Sequence, residues 1–176
     1  MPTRNNDKYW TCGGTPVSIR FTTSAGNQRR ATSAAIFAQQ WQAVGIKVDV
    51  GFEPANVFFG TRLPNHDFDI GEYAWLGGPD PSGFDAIYAC GGESNYKLYC
   101  NKKVDALQNA GEAQLDPTKR TALYQQAARI VAHEVAVIPL YSPPQILVYK
   151  SAIKGMEHSN NPTLLGPTWN IEQWHW

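Results

Sequence analysis

The stretch from Val17 to Phe52 constrains the fold most tightly, because its apolar period changes twice, from two to about 3.6 and back to two. Val17, Ile19 and Phe21 alternate with Ser18, Arg20 and Thr22, the pattern of a half-buried strand. After a Ser24-Ala-Gly-Asn27 turn, Ala34, Phe37, Ala38, Trp41 and Val44 recur at helical spacing, and Gly45 stands where a helix ends in a left-handed cap. Ile46, Val48, Val50 and Phe52 then alternate again. A strand, a helix and a strand over this length make one βαβ crossover, so the two strands are expected to be parallel neighbours. The fold class that follows is α/β or α+β, with a sheet covered by helices.

The next segment carries the main candidate for binding. Pro54 to Leu63 has room for a short helix on which Phe58 and Phe59 pack, and Asn65-His-Asp67 reads as a turn. A strand from Phe68 to Trp75 then runs without a spacer into Leu76-Gly-Gly-Pro-Asp-Pro81, a nearly uncharged turn whose prolines on either side of Asp80 set its exit direction. Trp75 supplies a large ring, and Gly77 and Gly78 let another backbone or a ligand approach closely, so this turn can line a pocket. Trp75 also fits a core position, but the adjacent glycines favour the pocket wall. Asp80 has two readings, a ligand group or the cap of the following turn; capping has the precedent of Asp116-Pro117, which opens a helix in the same way.

Further along, Val104, Leu107 and Gly111 mark one helix face, and a second helix runs from Pro117 through Leu123, Ala127, Ile130, Val131 and Glu134. Ala136–Tyr141 and Gln145–Tyr149 read as two short strands joined by Ser142-Pro143-Pro144, at least one of them at a sheet edge. The tail from Glu157 to Trp176 has three Trp, two Pro and little periodicity, so it is expected to need a covering surface.

Composition narrows the function. With 176 residues and 43% hydrophobic content the chain suits one domain. Fifteen basic and fifteen acidic residues cancel and no basic run is present, which argues against a nucleic-acid partner. No apolar stretch approaches the roughly 20 residues of a membrane span, and Met1-Pro-Thr-Arg4 does not start a secretion signal, so a soluble chain is expected. Cys90 and Cys100 flank a polar, turn-rich loop; a disulfide, with the oxidising compartment it implies, is favoured over two reduced thiols, leaving Cys12 over. His66, His133, His158 and His175 have no metal-ligand spacing, and His133 lies off its helix's apolar stripe as a solvated residue. Phosphate-loop, nucleophile-elbow and dinucleotide motifs are all missing, so no cofactor and no catalytic residue is expected. Asp67 and Asp69 share a strand face beside a turn, where solvent exposure accounts for both.

The order of segments resembles the C-terminal lobe of the family 5 extracellular solute-binding proteins, the peptide-binding components of bacterial ABC importers. The marks are Thr22–Arg30 ahead of a helix ending in Ala43–Lys47, Asp67–Ile70 leading to Trp75–Pro81, Tyr99–Asn101 with Val104–Leu107, Asp116–Arg120, Val137–Tyr141 and Gly166–Trp169. The resemblance implies a periplasmic-binding-protein-like α/β lobe, a mixed sheet flanked by helices, with 1–176 as a single lobe of a two-lobed protein. The other lobe precedes this region in the family, so the 157–176 tail is expected to pack on it. The implied partners are a peptide or small solute, that N-terminal lobe and an ABC permease, at the extracellular face of the membrane or in the periplasm. A membrane contact is implied only through a lipid anchor outside this chain.

The implied ligand wall is Ala74, Trp75, Leu76, Gly77 and Gly78, whose backbone groups pair with an extended peptide, with Asp80 as the nearby acid. Peptide-binding members carry in this segment a carboxylate that meets the ligand's α-ammonium; Gly77 and Gly78 occupy its candidate places here. Two other readings stand beside the non-enzymatic binder: a cysteine hydrolase-like domain using Cys90 or Cys100, and a protein-interaction module.

Overall fold

The computed structural model of the chain describes residues 3–4, 9–76, 80–144, 146–156 and 166–176. The chain divides into two compact units, Met1–Ala74 and Trp75–Trp176.

In the first unit, strands β1 (Thr3–Arg4), β2 (Trp10–Cys12) and β3 (Thr15–Pro16) form a small antiparallel sheet in chain order. The main sheet is wholly parallel. β4 (Ser18–Ser24) is its central strand, with β5 (Lys47–Glu53) on one side and β6 (Ile70–Glu72) on the other. The parallel pairing expected of the crossover is present, with Ile19 opposite Val48 and Phe21 opposite Val50. Parallel and antiparallel pairings are thus split between two sheets.

Helix α1 (Gln28–Ala43) makes the crossover. Asn27 caps its start by accepting a hydrogen bond from the Arg30 N–H, and Gly45 at φ 90° ends it, as expected. A Cβ on Gly45 would lie 2.7 Å from Cδ1 of Trp10, so steric room as well as φ demands glycine there. Phe37, Ala38 and Trp41 pack with Ala34 over Phe21, Val48 and Ile70, and the Phe21 and Phe37 rings stack at 5.8 Å.

The strands depart from strict alternation for topological reasons. Thr22, Thr23 and Ser24 are all buried, on the central strand that has a paired neighbour on each side. Val50 and Phe52 are exposed, because β5 is an edge strand and only Val48 lies under the helix. Val44, the helix cap residue, is also exposed.

Helix α2 (Ala55–Val57) continues as a wider π-turn over Phe58–Arg62. Phe58 is fully buried, whereas Phe59 packs edge-on against Phe58 and Tyr73 yet stays 42% exposed. The strand expected from Phe68 to Trp75 shortens to β6, three residues long, because only Ile70–Glu72 find partners on β4.

The second unit is helical. Helix α3 (Phe84–Tyr88) follows a short 3-10 turn over Pro81–Gly83, and α4 (Lys102–Glu112) packs against α5 (Pro117–His133). Val104, Ala127 and Val131 form the core, with Phe84, Tyr88, Tyr99 and Leu107 around it. Asp116 caps α5 as expected, accepting from the N–H groups of Thr118 and Lys119 at 2.9 and 3.0 Å, and His133 is exposed in the last turn. The two strands expected over 136–141 and 145–149 do not form among the described residues. Val137, Ile138, Leu140, Ile146 and Val148 are exposed instead, since none of the described residues pairs with that backbone as a strand. In the tail, Asn170 is buried, donates to the Gly155 carbonyl and accepts from the Trp174 indole, whereas Trp176 is 84% exposed. Residues 157–165 lie outside the described residues.

Candidate ligand-binding wall

The candidate wall begins where the parallel sheet ends. β6 stops at Glu72, whose carbonyl accepts a 2.8 Å hydrogen bond from the Thr23 hydroxyl, and Tyr73 packs edge-on against Phe58 and Phe59. Ala74, Trp75 and Leu76 then belong to no helix or strand. All three are exposed, Leu76 at 81%. Gly77 and Gly78, with Pro79, lie outside the described residues.

Trp75 belongs to the second unit, and it is neither a core residue nor a bare one. It is 47% exposed, and its ring lies nearly parallel to that of Tyr96, 13° between planes and 6.4 Å between centroids. That offset arrangement suits two aromatic quadrupoles.

Asp80 caps the 3-10 turn, accepting from the Ser82 N–H at 2.9 Å, and the Arg120 guanidinium donates to it at 2.9 and 3.2 Å. Hydrogen bonds from Ser82, and then the Arg120 cation, hold its carboxyl below the ordinary range. The capping role is therefore present, joined by an ion pair 40 residues away in sequence that periodicity does not reveal. Arg120 also donates to the Gly111 carbonyl at 2.8 Å, so one side chain ties the end of α4, the start of α5 and the turn after the wall.

The charged groups ahead of the wall are engaged in the same way. Asp67 and Asp69 both accept hydrogen bonds from Arg20, and Asp67 accepts another from Arg62, which also donates to Glu53 at 2.8 and 3.0 Å. Arg20 and Arg62 hold the Asp67 carboxyl below the ordinary range, and Arg20 does the same for Asp69. Solvent exposure alone does not describe them; they are half-exposed ion-pair members. Glu72 differs: burial pushes its carboxyl up, against the opposing effects of Ser33 and Arg30, and one of its oxygens is buried without a partner.

Cys90 and Cys100 are joined in a disulfide, Cα to Cα 4.4 Å, and Cys12 is free and exposed. The bond removes both thiolates that a cysteine-hydrolase reading requires, so that alternative fails on the chemistry of the nucleophile. The closed loop is further held by Asn95, which is buried and donates to the carbonyls of Ala89 and Tyr99 at 2.8 and 2.6 Å while accepting from the Tyr99 N–H. Tyr96 and Arg120 are the residues here that sequence reading missed. The Cys90–Cys100 bracket signals a fixed loop, but nothing local indicates that its Tyr96 meets Trp75.

Residues 3–96 match the family model described as bacterial extracellular solute-binding proteins, family 5 Middle. An uncharacterised lipoprotein of Mycobacterium tuberculosis is 28% identical over 170 residues, 92% of this chain and 29% of that protein. The oligopeptide-binding protein OppA of Mycobacterium bovis is 30% identical over 111 residues, 62% of this chain and 19% of that protein. Among solved structures, the oligopeptide-binding protein AppA from Bacillus subtilis, in complex with a nonapeptide, superposes with a TM-score of 0.77 at 22% identity, covering 98% of this chain and 34% of that one. The chain thus spans about a third or less of the length of each of these three proteins. That superposition carries the α/β, periplasmic-binding-protein-like fold, and the family is an extracellular one, on the outer face of the membrane or in the periplasm. Among the described residues no helix is long and apolar enough to cross a membrane. The chain belongs to the family 5 extracellular solute-binding proteins.

Proposed function

We propose that this chain is one lobe, residues 1–176, of a two-lobed binder that holds an extended peptide or peptide-like solute and delivers it to an ABC permease. The observation that carries the reading is the strip Ala74, Trp75 and Leu76, which leaves β6 exposed and outside any helix or strand in a chain of this family. A strip outside any helix or strand, with large exposed side chains, suits peptide capture by strand addition. Gly77 and Gly78 continue that wall, and Asp80, occupied by Ser82 and Arg120, acts as its structural support.

The N-terminal lobe is the partner for what this chain leaves uncovered. Val137, Ile138, Leu140, Ile146 and Val148 are each exposed, and in this reading they and the 157–176 tail pack on that lobe. A lipid anchor outside the chain accounts for membrane attachment.

Because one lobe supplies only part of the contact area, the isolated chain is expected to bind weakly. Titration calorimetry with a pool of short peptides should show nothing at micromolar concentration. Micromolar binding would mean that the chain carries a complete site.

A further inference from the structure

The loop closed by Cys90 and Cys100 does more than cross-link the start of α4. The residues on both sides of Tyr96 are anchored to the end of α3. Asn95 reaches the Ala89 carbonyl, and the Lys97 ammonium donates to the Ile87 carbonyl at 2.7 Å while lying 4.1 Å from the centre of the Tyr88 ring. Backbone bonds from Ser94 to Ala86 and from Gly92 to Ala89 complete the anchoring, and a Cβ on Gly92 would meet the Ala86 carbonyl at 2.6 Å. Tyr96 is thereby held on a rigid base, its ring parallel to that of Trp75.

From this geometry we infer that Tyr96 is a positioning residue: it backs one face of Trp75, so that the exposed part of the indole and the neighbouring Leu76 receive a planar apolar group of the ligand, such as an aromatic side chain. The assignment rests on Trp75 belonging to the ligand-facing wall. Two observations support the ligand class. Trp75 and Leu76 stay exposed at 47% and 81%, and the nearby acid Asp80 is engaged by Ser82 and Arg120. The described residues here therefore offer apolar surface in place of a free charge. A ring fixed from behind loses little freedom when a second ring stacks on it, which is how a rigid aromatic converts area into selectivity.

The test compares the parent protein with Tyr96→Ala, Tyr96→Phe and Trp75→Ala. Each is titrated into the millimolar range with two synthetic peptides, Ala-Ala-Phe-Ala-Ala and penta-alanine, followed by amide chemical shifts. The parent should prefer the phenylalanine peptide by about fivefold, the factor that one aromatic stacking contact supplies. Tyr96→Phe should keep that preference, and Tyr96→Ala should lose it while its affinity for penta-alanine stays unchanged. The inference is overturned by no preference in the parent, by an unchanged preference in Tyr96→Ala, or by equal losses for both peptides, which mark a structural role. Trp75→Ala separates the two levels: if it alters neither affinity, the wall reading itself falls. If it weakens binding while Tyr96→Ala keeps the preference, only the role of Tyr96 falls.

Discussion

Asp80 accepts hydrogen bonds from the Ser82 backbone and from Arg120, which leaves its carboxylate little capacity for a ligand. Asp80→Ala should therefore lower the melting temperature by about 2–4 °C in a domain of this size. It should change peptide affinity less than about twofold, since the cap is what is lost. Differential scanning calorimetry and a peptide titration on the same variant rank the two effects; a larger change in affinity would make Asp80 a ligand anchor. Asp85 provides the pH dependence. Burial, reinforced by a hydrogen bond to Glu112 and that group's charge and opposed by Arg120, pushes its carboxyl up to about 7. The folded state then binds more protons than the unfolded one between roughly pH 4 and pH 7, so this contribution to stability is complete below that window and lost as pH rises through it. Asp85→Asn should flatten the decline and melt above the parent at pH 8 by about 2–4 °C. Thermal melts across pH 4–8 that run parallel for the two proteins would contradict a raised Asp85 carboxyl. Gly45 was legible because a helix needs a left-handed stop where its apolar stripe ends; the close approach of Trp10 was not, since 35 residues separate them. The same limit hid the pairing of Arg20 with Asp67 and Asp69 and the stacking of Tyr96 on Trp75.

Elements with local start and stop signals were readable. The βαβ crossover declares itself by two changes of period, and Asp116-Pro117 opens α5 with a cap and a residue that needs no N–H partner. Asp116→Ala should cost about 1 kcal/mol, observable as a drop in the denaturation midpoint. The segments 136–141 and 145–149 are rich in strand-forming apolar residues, yet among the described residues they pair with no strand, because local composition does not say where a neighbouring strand comes from. The strand from Phe68 to Trp75 contracted to Ile70–Glu72 for the same reason. The disulfide loop lay between these extremes: turn-rich composition favoured closure, and closure is what the structure has. Breaking it by Cys90→Ser with Cys100→Ser should destabilise the protein by roughly 2–3 kcal/mol on the chain-entropy account. Thiol counting on the denatured, unreduced parent should find only Cys12 reactive. Two or more reactive thiols would contradict the bridge.

On the scale of the whole molecule, a parallel sheet with one face helix-covered and a helical unit stapled by a disulfide each possess their own core. Neither core accounts for the exposed Leu76, Ile146, Val148 and Trp176. The chain spans about a third or less of the relatives compared above, and its exposed apolar surface is what the proposed binding wall and covering lobe would use. Family membership was readable from the order of short segments, several of which are turns, caps or strand ends whose spacing the fold dictates. The ligand was not, because contacts between residues distant in sequence, such as that of Trp75 with Tyr96, leave no local signal. The most direct test is an NMR titration of the isotopically labelled chain with a peptide pool, mapping which amides move and at what concentration. Saturation is expected at millimolar concentration with shifts concentrated at Ala74, Trp75, Leu76 and Tyr96; micromolar saturation, or shifts confined to the faces of α4 and α5, would overturn the proposed wall.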